Sequence, residues 1–297
     1  MDTIDLSGQV AVVTGAGRGL GKEYAKVLAT NGALLIINDN AYNEDGTSLA
    51  SETAREIEDM GGCAIVNTDD ISTRDGCRNL IETVENNFGF VDIFIHNAGF
   101  ILEKDFLDHD DFDWNKMLDI HLNASYYLLK GIIPLMMKKK YGRIVMVTST
   151  DGMFGLEKQA GYAAAKMGVF GLVQVIKQEF QDMDIKCNLI SPLAATQQTK
   201  NALQGILVEK LSPEKAAPII GYLCSPQCRH NGKVFIAAGG YFSCIGFCQG
   251  EGVFIPKEQL TAQSVYNKID RITDFTYANP ISSSRQTAKK ILKKIFI

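Results

Sequence analysis

Short continuous runs of apolar residues alternate along the chain with longer stretches whose apolar positions recur at helical spacing. The first run, Gln9–Thr14, is rich in β-branched residues and ends in glycines, which reads as a buried strand. Helical spacing then extends from about Arg18 to Thr30 and stops at Asn31-Gly32. Ala33–Ile37, Cys63–Val66, Val91–Ile95, Arg143–Thr148, Ile185–Ile190 and Lys233–Ile236 read as further strands. Between them the spacing predicts helices over about Ser48–Met60, Thr73–Phe88, Asp111–Met137 and Gln159–Gln181. Repeated strand–helix–strand units with near-continuous apolar strands imply an α/β fold, a doubly wound parallel sheet with helices on both faces. No long linker or internal repeat interrupts it, and the composition changes only after about Phe254. Residues 1–243 are therefore expected to form one domain. Residues 244–297 form a C-terminal extension with helical spacing from Thr261 to about Ile272.

Composition narrows the class. The net charge is −4, from 30 basic and 34 acidic residues, which offers no broad field for nucleic acid or an anionic membrane. The acidic start lacks the basic and apolar regions of a secretory signal, and charged residues interrupt every candidate bilayer span, so the expectation is a cytoplasmic protein. Seven cysteines are spread through the chain. The spacings Cys224/Cys228 and Cys244/Cys248 do not suit a zinc site, the four histidines do not cluster near them, and no metal is expected. The tail Ala288–Ile297 alternates paired lysines with paired apolar residues, giving one basic and one apolar helix face. It reads as a terminal helix packed on its own protein or frayed, in preference to a membrane-surface helix, for which it is short.

The first chemical feature is the glycine loop Thr14-Gly15-Ala16-Gly17-Arg18-Gly19-Leu20-Gly21 between the first strand and first helix. Glycines let backbone approach phosphates, and the helix start offers unpaired N–H groups and partial positive charge. The pattern is T-G-x-x-x-G-x-G, distinct from G-x-G-x-x-G. Asp39 ends the second strand, where a carboxylate can accept hydrogen bonds from ribose hydroxyls and repel a 2′-phosphate. Arg18 pulls the other way, toward such a phosphate, but the position of Asp39 favours NAD.

The second feature is Tyr162-Ala-Ala-Ala-Lys166, a pair that shares one helix face. An ammonium beside a phenol favours the phenolate and makes Tyr162 a general acid/base. Ser149 follows a strand ending at Thr148, placing its hydroxyl at the ligand crevice of a doubly wound sheet. Asn123 lies in the middle of the long predicted helix, where asparagine needs a reason: a helix distortion or a buried polar partner.

Together the glycine loop, Asp39, Asp70-Ile71, Asn97-Ala98-Gly99, Asn123, Ser149, Tyr162 and Lys166 resemble the short-chain dehydrogenase/reductase superfamily over about residues 5 to 240. The resemblance implies a Rossmann-like fold with NAD across the carboxyl ends of the strands. It implies cofactor contacts at Gly15, Arg18, Gly19, Leu20, Gly21 and Asp39. Asp70 with Ile71 would meet adenine, and Asn97, Ala98 and Gly99 would line the cleft. It implies that Tyr162 takes the hydroxyl proton, Lys166 supports it and holds the nicotinamide ribose, Ser149 bonds the reacting oxygen, and Asn123 orders a relay water. Two departures stand out, His96 before Asn97 and Leu193 after Pro192.

The second departure, with Ser191–Thr196, Glu209–Pro218, Tyr222-Leu-Cys-Ser and Gly232–Tyr241, is similar to the (3R)-hydroxyacyl-CoA dehydrogenase domains of peroxisomal multifunctional enzyme type 2. Pro192 and Thr196 would then complete the cofactor site. The resemblance implies an oxidoreductase taking a small-molecule acyl-CoA thioester, as a homodimer or homotetramer, and the length of the chain leads us to expect a stand-alone dehydrogenase. A steroid, a polyol or another secondary alcohol is the alternative substrate. A nucleotide-binding module without turnover is the alternative class, against which the combination of Ser149, Tyr162 and Lys166 argues.

Overall fold

In the computed structural model, which describes residues 3–197, 199 and 205–295, the chain divides into two compact units, Met1–Ser243 and Cys244–Ile297. In the first unit, β1 (Val10–Thr14) leads through α1 (Gly19–Thr30) to β2 (Leu34–Asn38), then through α2 (Leu49–Asp59) to β3 (Cys63–Asn67). α3 (Arg74–Asn87) leads to β4 (Ile93–His96). α4 (Asp111–Leu118) and α5 (Ala124–Lys139) precede β5 (Tyr141–Val147), and α6 (Thr150–Phe154) and α7 (Ala160–Glu179) precede β6 (Asp184–Pro192). α8 (Ile206–Lys210) and α9 (Ile219–Cys224) lead to β7 (Val234–Ala238) and β8 (Tyr241–Ile245).

The strand order is β3-β2-β1-β4-β5-β6-β7-β8. The registers Val10↔Leu34, Ala11↔Ile93, Ile93↔Arg143, Tyr141↔Asp184 and Leu189↔Val234 are all parallel. The central strands are apolar because both faces are covered: Val10–Val13 and Ile93–Ile95 are fully buried. Each buried Val, Ile or Leu contributes about 1.5–3 kcal/mol. Helices pack on them through stripes such as Tyr24, Ala25, Leu28 and Ala29 of α1. β3 lies at the sheet edge and exposes Val66.

The long helix expected over Asp111–Met137 is not continuous. A π-helical turn, Asp119–Asn123, separates α4 from α5. Asn123 therefore sits at a helix distortion, one of the two reasons its place in the sequence called for. The short α6, α8 and α9, and β8, lie in stretches too brief for a periodic signal.

In the second unit, β9 (Phe247–Gln249) pairs antiparallel with β10 (Asn279–Ile281). The expected helix over 261–272 is two short helices, α10 (Ala262–Tyr266) and α11 (Ile269–Ile272), and α12 (Ser284–Ile295) follows β10. The lysine face of α12 is partly engaged: Lys290 and Lys294 each pair with Glu251 at 3.2 Å. The last two residues of the expected tail helix lie outside the described residues. Among the described residues no helix is long and apolar enough to cross a membrane.

At the amino end of β5, away from the cleft described below, Arg143 is 1% exposed. Its guanidinium donates to the carbonyls of Ser225 (3.0 Å), Gly142 (3.0 Å) and Asp184 (2.9 Å), and lies 3.1 Å from an Asp184 carboxylate oxygen. This fork ties β5, β6 and the end of α9 together, a task a point-like ammonium cannot perform. Arg143→Met should lower the unfolding free energy by about 3 kcal/mol, since it strips buried carbonyls of their donors. Urea unfolding followed by circular dichroism measures this, and a loss below about 1 kcal/mol would show the network to be dispensable.

Candidate active site

The strand order reverses between β1 and β4, and there the carboxyl ends of the strands open a cleft of about 1010 Å³. One hydroxyl joins the two sides. Thr14 Oγ1 accepts hydrogen bonds from the N–H groups of Asn97 and Ala98, both at 3.1 Å, and lies 3.0 Å from His96 Nδ1. With its acceptor sites so used, the hydroxyl donates to Nδ1 and leaves the imidazole proton on Nε2. The Asn97 side chain reaches back, donating from Nδ2 to the Gly15 carbonyl at 2.9 Å.

The glycines of the first loop have separate reasons. A Cβ on Gly15 would lie 2.6 Å from Ala98 Cα, one on Gly17 2.6 Å from Leu49 Cβ, and one on Gly21 2.1 Å from the Gly15 carbonyl oxygen. These three serve packing inside the protein. Gly19, with φ +56°, would meet nothing nearer than the Thr196 side chain at 3.6 Å, so its glycine character keeps the cleft floor open. α1 starts there with no side-chain cap and no acidic residue in its first turn, leaving its N–H groups for an anion. Asp39 stands beside this turn. Its Oδ2 accepts from Gly17 N at 2.9 Å and its Oδ1 from Ala41 N at 3.0 Å. An open floor over a free helix start, flanked by the Asp39 carboxylate, fits a dinucleotide.

Gly15, Arg18, Gly19, Leu20, Asp39, Asp70, Ile71, Asn97, Ala98, Gly99, Ser149, Tyr162, Lys166, Pro192 and Thr196 all line this one cleft. Gly21 and Asn123 do not. Gly21 lies beneath the loop, where only glycine fits. Asn123 turns its amide to Asp119 Oδ1 at 2.7 Å, which answers its need for a partner within the π turn itself. The residue of that turn that faces the cleft is His121.

Sequence reasoning passed over His121, whose ring meets that of Tyr162 at 84° with centroids 5.1 Å apart. It also passed over Ser191, whose Oγ accepts from Thr150 N at 2.9 Å and so fixes the start of α6. The signal for His121 was present: a histidine inside an apolar helical stretch, two positions before an out-of-place asparagine.

The reactive groups converge from two elements. Ser149 caps α6, its Oγ accepting from Asp151 N at 3.1 Å, and it also hydrogen-bonds Tyr162. Tyr162 and Lys166 lie one turn apart on α7, with Lys166 Nζ 5.5 Å from the Tyr162 ring centroid. Lys166 Nζ donates to the Val147 carbonyl at 2.8 Å, and Thr148 Oγ1 donates to the Lys166 carbonyl at 3.2 Å, locking α7 to the end of β5.

Burial dominates the electrostatics. It pushes the Tyr162 phenol up to about 12, against the Ser149 hydrogen bond, which favours the phenolate, and with a further push from Asp151. It brings the Lys166 ammonium down to about 7. Burial thus outweighs the downward pull that Lys166 was expected to exert on Tyr162. Burial also holds His96 down at about 3 and His121 well below the ordinary range, and the Lys166 charge adds to both shifts.

The chain matches the short chain dehydrogenase family over residues 9–205, and it belongs to that family. It is 37% identical to a short-chain type dehydrogenase/reductase of Mycobacterium tuberculosis, over 91% of this chain and 96% of that protein. It is 35% identical to the peroxisomal multifunctional enzyme type 2 of Drosophila melanogaster, over 97% of this chain and 49% of that protein, and so spans about half of its length. The solved structure of that full-length enzyme superposes with a TM-score of 0.83 at 28% identity, over the same shares of the two chains. The L-sorbose reductase of Gluconobacter frateurii, solved with NADPH and L-sorbose, superposes with a TM-score of 0.73 at 25% identity over 80% of this chain and 98% of that one. The protein is an oxidoreductase with a Rossmann-like fold for a nicotinamide dinucleotide.

The depressed Lys166 predicts a trade of stability against function. Between about pH 7 and 10.5 the unfolded lysine carries a proton that the folded one has lost, so the cofactor-free protein gains stability as pH rises through that window. Lys166→Met should therefore stabilise the cofactor-free protein at pH 7 by on the order of 1–2 kcal/mol, after allowing for the lost bond to the Val147 carbonyl. The advantage should shrink toward pH 10.5, where the unfolded lysine also becomes neutral. Unfolding midpoints across this pH range measure it, and a destabilised variant at pH 7 would contradict the burial argument.

Proposed function

We propose that the protein is an NAD-dependent dehydrogenase that oxidises the secondary alcohol of a (3R)-3-hydroxyacyl-CoA. The single observation that carries the chemistry is the convergence of Ser149, Tyr162 and Lys166 on one cleft wall, beside a loop built for a pyrophosphate. Ser149 donates to the substrate oxygen and holds it against Tyr162. As the phenolate, supported by Ser149 and Lys166, Tyr162 takes the hydroxyl proton in oxidation, and as the phenol it returns that proton in reduction. A nicotinamide dinucleotide held by the glycine loop would supply the acceptor for the hydride of the carbinol carbon. Lys166 supports the developing phenolate and offers its remaining N–H donors to the cofactor ribose. The Asn123 amide is engaged by Asp119 Oδ1 at 2.7 Å, and the steps above do not draw on it.

Asp39 supports NAD: its carboxylate lines the cleft beside the glycine loop, where a 2′-phosphate would meet its charge. Arg18, also on the cleft wall, is the observation that favours NADP. The thioester substrate is supported by the similarity to multifunctional enzymes over nearly the whole of this chain. Apolar side chains exposed on α5 (Tyr126, Met137) and α7 (Met167, Val175) support a homodimer or homotetramer through those helices. Seven free thiols support a reducing compartment, here the cytoplasm.

Tyr162→Phe should abolish turnover, by at least about 10³-fold, while NADH binding stays within about twofold. Retained activity in that variant would remove Tyr162 from the chemistry. A spectrophotometric panel of (3R)-3-hydroxyacyl-CoA thioesters, hydroxysteroids and polyols with NAD decides the substrate class. NADH formation from the steroids or polyols alone would overturn the thioester assignment. Asp39→Asn should shift the ratio of NADH to NADPH affinity toward NADPH by about tenfold, since it removes a charge next to the 2′ position. An unchanged ratio in fluorescence titrations would show that Asp39 does not choose the cofactor.

A further inference from the structure

His121 sits in the middle of the π-helical turn and has no task in the chemistry above. It is 2% exposed and forms part of the cleft wall. Its Nε2 lies 2.8 Å from the Phe100 carbonyl oxygen, and a carbonyl only accepts, so Nε2 carries the proton. Nδ1 is then a lone-pair acceptor, buried and without a hydrogen-bond partner among the described residues. Burying such a nitrogen unpaired costs stability, so a leucine or phenylalanine would serve better if packing were the whole purpose.

The ring is held from three sides. Phe100 fixes it through the carbonyl bond. The π turn aims it inward, and such turns are frequent at functional sites. Gly99 makes room for it: a Cβ there would lie 2.1 Å from His121 Cε1 and 2.6 Å from Nδ1. The face left over meets Tyr162, ring against ring at 84°, an arrangement that aromatic pairs prefer.

We infer that His121 is a positioning residue for Tyr162: anchored by the Phe100 carbonyl, its neutral ring braces the phenol so that the hydroxyl stays registered between Ser149 and Lys166. This rests on the proposed acid/base role of Tyr162 and extends it. The brace links the loop after β4, which also carries the Asn97–Gly99 edge of the cleft, to the reactive helix α7. A phenol free to swing by even 1 Å loses alignment with a substrate oxygen, and misplacement on that scale costs about 100-fold in rate. The ring also excludes water from the phenol, in keeping with the burial that raises Tyr162.

The test compares His121→Ala and His121→Phe with the parent. Turnover is measured with (3R)-3-hydroxydecanoyl-CoA and NAD, and cofactor binding by NADH fluorescence. Ultraviolet difference titration of each protein against the same protein carrying Tyr162→Phe follows the Tyr162 phenol without any substrate. His121→Ala is expected to lose about 100-fold in kcat, with KM and NADH affinity within about threefold. Its Tyr162 should titrate at lower pH than in the parent, because water reaches the phenol. His121→Phe keeps a ring beside Tyr162, and should recover about tenfold of the lost rate and return the titration toward that of the parent.

Parent-like kcat and titration in His121→Ala would overturn the inference. So would a rate loss that comes with equally weakened NADH binding and is not relieved in His121→Phe, which would mark His121 as a prop of the cofactor cleft. A parent inactive on the thioester would sink the substrate assignment alone, and the titrations would then decide the role of His121.

Discussion

The cleft depends on one hydroxyl. Thr14 closes β1 and gathers the backbone of Asn97 and Ala98 and the ring of His96 around a single oxygen. The two strands that it joins are parallel neighbours at which the strand order reverses, where no crossover helix fills the gap. Without that bond the two loops would have only the Asn97 side chain to keep them in register. With it, the glycine turn and the Asn97–Gly99 edge form one rigid rim. The cofactor-facing backbone and the wall behind Tyr162 are then placed by the same few atoms.

Desolvation is the second organising force. Tyr162, Lys166, His96 and His121 lie within one buried wall, and burial moves each toward its neutral form. The consequence is a reactive wall whose own titratable groups rest near their neutral forms. A neutral phenol, a lysine poised near neutrality and two neutral imidazoles respond strongly to a charge brought in from outside, because there is little water to screen it. The stability cost of this wall is offset by the apolar strands Val10–Val13 and Ile93–Ile95 directly beneath it.

Much of this was legible in the residues. Strands β1, β2, β4, β5 and β6 announced themselves as apolar runs because both faces of a parallel sheet are covered, and such strands need no alternation. Asp39, Ser149, Tyr162 and Lys166 were found by their order and their places at strand ends, and the fold brings them to one cleft. Less legible were the breaks. Helical spacing runs unbroken through Asp119–Asn123, since a single wide turn leaves apolar periodicity almost intact on either side. That hidden turn is what brings His121 to the cleft wall, which the periodicity alone does not show.

The amino-acid sequence by itself determined the central strands and the longer helices of the first unit. It also determined which residues carry chemistry, since apolar period, capping and glycine position are local properties. Tertiary structure alone decided what those residues do there. Three glycines of one loop admit close packing by Ala98, Leu49 and the Gly15 carbonyl, which arrive from elsewhere in the chain or from the loop's own fold, while a fourth, Gly19, keeps the cleft floor open. Protonation was decided in the same way. The Tyr162–Lys166 pair in isolation predicts a lowered phenol, and burial under the surrounding elements reverses it, because the free energy of a charge depends on everything within a few ångströms and not on its neighbour along the helix alone.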